Sequence, residues 1–281
     1  MPYKTILVHL NNEHRVTRLI GAAMHLALPS SAHLTGLFVV PHVPFTSPIF
    51  PKISGAIIQR GLDTYRQTGE SIRQAFERAA TGLPLVTEWR LHEPKRPGFV
   101  EAVLEHARAA DLLIVAQKES DWDYADMFDV PDWLAMDSGR PVLIVPKSGE
   151  METIGERILL AWNNSRESAR AAFDALPLLQ RAKEVRVLCV EEPDKPQTAS
   201  DVLGAEICAA LARHGVNCTA EHIKPARRGE PGEELLAQVA QRGCDLLVMG
   251  CYGRSRLREF ILGGASRHVL KHATVPVLMA H

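Results

Sequence analysis

The chain has 281 residues, 46% hydrophobic and 23% charged, with 32 Lys and Arg against 33 Asp and Glu for a formal net charge of −1. That length suits about two domains, each long enough to bury its own core. Near-neutrality supplies no field to steer the chain to nucleic acid or an anionic membrane, and no apolar run approaches the ~18 residues needed to span a bilayer.

Met1-Pro2-Tyr3-Lys4-Thr5 runs straight into a strand pattern, so no signal peptide is expected. Strands are predicted near 3–10, 33–40, 85–92, 111–117 and 141–146. A Pro/Phe-rich loop interrupts this half at 41–54. An acidic, aromatic stretch at 118–140 holds Asp121-Trp122-Asp123-Tyr124-Ala125-Asp126. It reads as a partner surface or lid, or as a solvated loop. Lys147 to Thr153 form a linker.

The same order then repeats. Strands are predicted at 157–163, 184–191, 217–224, 245–250 and 276–281, with helices near 165–180, 198–214, 231–242 and 263–273. Ser165 is expected to cap the first of these helices, with Ser168 rather than Glu three residues on, hence no full capping box. Pro231 suits the first turn of the third helix. Thr5-Ile6-Leu7-Val8 is echoed by Arg157-Ile158-Leu159-Leu160, and Asp111-Leu112-Leu113 by Asp245-Leu246-Leu247. Both halves close on a proline-led strand, at Pro141 and Pro276. A duplicated unit of roughly 135–145 residues follows, placing domains at 1–147 and 155–281. Near-continuous apolar strands alternating with helices predict α/β architecture, two tandem Rossmann-like, doubly wound domains with five parallel strands each.

Chemistry concentrates in the second half. Leu246-Leu247-Val248-Met249 empties into Gly250-Cys251-Tyr252-Gly253, a basic segment (Arg254, Arg256, Arg258) follows, and Gly263-Gly264 opens the last helix. Glycines admit close backbone approach, and a helix N-terminus attracts anions, so the pattern predicts a phosphate cradle. The alternative is that these glycines only shape a tight loop and allow helix packing. In the first half the glycine positions become Gln117, Ser120 and their neighbours, and Asp121, Asp123, Asp126, Asp129 and Asp132 would repel a phosphate.

In these motifs, with Gly229-Glu230-Pro231 and Val275-Pro276-Val277-Leu278, the chain resembles the universal stress protein family in its tandem form. The resemblance implies the strand order 3-2-1-4-5 in each half. It implies ATP, AMP or another adenine nucleotide as ligand, with Mg²⁺ as a candidate companion, held by the second half. Trp162 and Asn163 would meet adenine and ribose, Val190 would offer backbone to the base, and Met249 and Gly250 would line base and ribose. Gly253 with Arg254 would flank the phosphates, and Gly263, Gly264, Ala265 and Ser266 would receive them. The ATP-binding pattern has Asp where this chain has Asn163, and Ser or Thr where it has Gly264. The resemblance also implies that Val142–Val145 and Val277–Met279 join the halves as a pseudo-dimer, with a homodimer as a further level.

Other chemistry has less support. His268 and His272 have i,i+4 spacing but no zinc motif around them, and no nucleophile elbow or Walker A sequence is present. Cys251 beside Arg254 is a candidate redox thiol. Five cysteines without a CxxC pair fit a cytoplasmic protein. The expectation is a nucleotide-binding regulatory protein of the stress response, at most a slow ATPase. The alternatives are a nucleotide-free interaction or scaffold protein with both pockets vestigial, and a small hydrolase.

Overall fold

The computed structural model describes residues 2–40, 55–96, 98–119, 129–190, 200–223, 231–251 and 264–281. In the first half β1 (Thr5–His9), β2 (His33–Val39), β3 (Thr87–His92), β4 (Leu112–Ala116) and β5 (Val142–Val145) alternate with α1 (Val16–Ala27), α2 (Gly55–Ala80), α3 (Phe99–Ala107) and α4 (Pro131–Asp137). The second half repeats the order with β6 (Arg157–Ala161), β7 (Glu184–Val190), β8 (Cys218–Ile223), β9 (Leu246–Gly250) and β10 (Val277–Ala280). Its helices are α5 (Arg166–Asp174), the short α6 (Leu176–Leu179), α7 (Ser200–Ala212), α8 (Pro231–Gln241) and α9 (Gly264–His272).

All ten strands form one sheet, ordered β3-β2-β1-β4-β5-β10-β9-β6-β7-β8. Each half therefore carries the order 3-2-1-4-5. Pairing within a half is parallel, and the halves meet where β5 and β10 run antiparallel, Leu143 opposite Leu278. Two apolar layers cover the sheet. One face packs against α1, α2, α5, α6 and α7 through residues such as Leu19, Phe76, Ala171, Leu178 and Leu211. The other packs against α3, α4, α8 and α9 through Val103, Leu134, Leu235 and Val269. Strands buried on both faces account for the near-continuous apolar runs.

The start of α5 differs from expectation. The Ser165 hydroxyl accepts from the Ser168 N–H at 3.1 Å, and the Ser168 hydroxyl accepts from the Ser165 N–H at 3.0 Å. The capping box is complete, because a serine hydroxyl accepts as Glu would.

The repeated aspartates have a repeated task. Asp111 accepts from the N–H groups of Lys4 and Thr5, at 2.7 and 2.9 Å, where β1 begins. Asp245 accepts from Gly155, Glu156 and Arg157, where β6 begins, and from the Thr153 hydroxyl. Each anchors the start of the central strand of its half. Asp245→Ala should lower unfolding free energy by roughly 2–3 kcal/mol, the scale for losing bonds to a charged acceptor, read from urea midpoints.

Candidate functional site

Ligands in doubly wound sheets sit at the carboxyl ends of the strands, beside the loops after the first and fourth strands of the unit. In the second half those strands are β6 and β9. Their continuations carry Trp162-Asn163-Asn164-Ser165 and Gly250-Cys251, and α9 starts on the same side. Gly253, Arg254 and Gly263 lie outside the described residues.

The described site residues divide between the two faces. The Trp162 indole is 8% exposed and belongs to the layer under α5 and α7. Met249 and Val190 belong to the opposite layer, beside Ile223 and Ala161. The Trp162 backbone N–H donates to the Leu188 carbonyl at 2.9 Å, tying the loop after β6 to β7. Asn163 Oδ1 accepts from the Ser165 N–H at 3.2 Å, and Asn164 adopts a left-handed conformation at φ 55°. The acceptor of Asn163 thus already serves its own turn. In α9, Gly264 is exposed, Ala265 half-buried and Ser266 buried.

Gly250 has a packing reason. A methyl group there would collide with the backbone of Glu167 and Ser168, so the first turn of α5 lies directly against the end of β9. Gly232, the second residue of α8, is pressed in the same way against Ala265 and His268 of α9. These two glycines draw the helix starts together around the strand ends. Gly250→Ala should cost about 2–3 kcal/mol, because the obstacle is backbone that cannot rotate away; a thermal melt reads it.

A polar chain sequence reasoning missed closes one side of the site. His281, beyond β10, contacts the Cys251 carbonyl through Nδ1 at 2.9 Å, and Arg166 through Nε2 at 3.3 Å. Arg166 reaches the Glu167 carboxylate at 3.1 Å. Burial of Glu167 opposes its charge, but bonds from its own N–H and Ser165, with the charges of Arg166 and His281, hold the carboxyl below its usual range.

Cys251 is fully buried, and its Sγ lies 3.6 Å from the Ala135 carbonyl in α4. This corrects the redox expectation, since an inaccessible thiol meets no oxidant. The glycine correspondence also shifts by one. The Cys251 N–H donates to Ala280 and that of Gln117 to Val145, so Gln117 is the counterpart of Cys251 and Ala116 that of Gly250. Gln117 reaches across to the other half: its amide donates to the Leu270 and Ala273 carbonyls at 2.9 and 3.3 Å, capping the end of α9. His268 and His272 lie with ring centroids 4.6 Å apart, and among the described residues no cluster of three metal-ligating side chains forms.

In the first-half crevice, Asp129 is buried and bonded to Arg15, Asn11 and the Glu119 N–H. Its charge is therefore neutralised inside the crevice and is not part of a repelling acidic surface. His9, also buried, packs edge-on against Phe99. Burial pushes its imidazole down to about 4, an effect assisted by Arg15 and opposed by Asp129.

The model of the universal stress protein family matches residues 155–281. This half of the chain belongs to the universal stress protein family. A universal stress protein of Bacillus subtilis is 41% identical over 51 residues, covering 18% of this chain and 34% of that protein. One from Synechocystis is 26% identical over 141 residues, 50% of this chain and 46% of the other. The alignments span about a third to a half of these curated relatives. A solved universal stress protein from Archaeoglobus fulgidus matches 98% of this chain and 95% of its own, at 18% identity and a TM-score of 0.70, so both halves share its fold. Among the described residues no helix is long and apolar enough to cross a membrane.

Because His9 stays neutral in the fold but protonates near 6.5 when unfolded, stability should fall as pH drops from about 6.5 towards about 4. His9→Leu should flatten that part of the urea-midpoint profile.

Proposed function

We propose that the second half holds an adenine nucleotide, ATP or AMP, at the carboxyl ends of β6 and β9, and that partner proteins read the bound form in a stress response. The observation carrying this reading is the convergence of helix starts there. Gly250 seats α5 on β9, Gly232 seats α8 against α9, and α9 opens with Gly264 and Ala265. A helix start lined by small residues offers amides to a phosphate with no side chain in the way. Membership of residues 155–281 in the universal stress protein family supports the same assignment.

On this reading Val190 and Met249 flank the base, while Asn163 presents its amide rather than a carboxylate to the ribose. Mg²⁺ would accompany the phosphates. The Glu167 carboxylate is turned into its own helix start. On this reading the chain is a binding protein, and any hydrolysis is slow. The antiparallel pairing of β5 with β10 supports reading the two halves as a pseudo-dimer, with the first half as partner domain. Five cysteines with no disulfide among them fit a reducing cytoplasm.

One observation favours a nucleotide-free interaction protein: Asn163 Oδ1 is already engaged by Ser165. Heat-denaturing the purified protein and identifying released nucleotide separates the two readings. Gly253→Val and Gly263→Val should each weaken ATP binding by about tenfold or more, some 1.4 kcal/mol, with little change in melting temperature. Unchanged affinity in both variants refutes the nucleotide reading.

A further inference from the structure

The first-half crevice contains a bound oxyanion, and it belongs to the chain. The Asp129 carboxylate receives the Arg15 guanidinium on both oxygens, at 2.7 and 3.0 Å. Asn11 Nδ2 donates to Oδ1 at 2.8 Å, and the Glu119 N–H donates to Oδ2 at 3.0 Å. Arg15 also contacts the Glu119 carboxylate at 3.1 Å. The donors come from the loop after β1, the turn leading into α1 and the loop after β4. These are the elements that flank a ligand crevice in a doubly wound sheet. Arg15 is 6% exposed and Asp129 3%, so the bonds form away from water. Burial opposes the charge of Arg15, but Asp129 and Glu119 hold it firmly protonated.

We propose that Arg15, Asn11 and the Glu119 amide form an oxyanion seat specific for a planar carboxylate, with Asp129 as its built-in ligand. A tethered carboxylate has a high effective concentration and shuts free carboxylates and phosphates out. The seat explains Asn11. An Asp there would set a second carboxylate against Asp129, whereas the amide donates to it. It also separates the two crevices. Asn163 repeats Asn11, but Glu167 stands where Arg15 stands in the repeat, so the second half cannot build the same seat. The inference concerns the first half alone and stands or falls independently of nucleotide binding in the second.

Emptying the seat tests it. Asp129→Ala leaves a buried guanidinium without its main counter-charge, so the full-length variant should melt well below the parent. Sodium formate, at ionic strength held constant with chloride, should raise that melting temperature by several degrees along a saturable curve. The parent and the double variant Arg15→Met, Asp129→Ala should show no such rise. If Asp129→Ala is unfolded in chloride, refolding in formate should recover it while the double variant stays unresponsive. A formate response equal in the single and double variants, or no recovery by formate, overturns the proposal.

Discussion

The antiparallel contact of β5 with β10 governs the molecule. A five-stranded parallel sheet ends in an open edge of unpaired N–H and C=O groups. Here the last strand of each half covers the edge of the other, with Val142, Leu143 and Ile144 opposite Met279, Leu278 and Val277. One sheet and two continuous apolar layers result, so neither half is packed independently of its neighbour. The polar contacts across the junction follow from it. Gln117 caps the end of α9, Cys251 reaches the Ala135 carbonyl in α4, and the Tyr3 hydroxyl donates to the Asp174 carbonyl at 2.7 Å.

That two-fold plan makes the differences between halves meaningful. Both crevices have the same walls: a loop after the first strand, a loop after the fourth, and helix starts. In the first, Arg15 and Asp129 neutralise one another inside the crevice, and Gln117 is committed to the far half. In the second, Gly250 brings α5 against β9, and Glu167 and Arg166 join His281 at the rim. Both halves keep the same scaffold, while charge at a few positions differs between the crevices.

Much of the fold was legible because its signals are local. Apolar runs placed every strand within a few residues, and the Asp-Leu-Leu echo marked β4 and β9. The halves share a strand order that the resemblance anticipated. Ser168 misled because a capping box is usually recognised by Glu or Gln, although a serine hydroxyl meets the same need. Gly250 left a ligand reading and a packing reading side by side. A sequence reports that a side chain is absent, and the fold shows that the space is filled by the backbone of α5.

The acidic stretch shows the same boundary. Composition made Asp129 one of five repelling charges, whereas the fold places it against Arg15, 114 positions earlier in the chain. By itself the sequence determined the repeated β/α units, the proline-led final strands and the small-residue start of the last helix. These follow from periodicity and residue size, which act over a few neighbours. Only the tertiary structure decided which crevice holds its own carboxylate, which glycine serves packing and which thiol is out of reach. Those outcomes depend on loops from distant strands converging, where burial turns a surface charge into a partner.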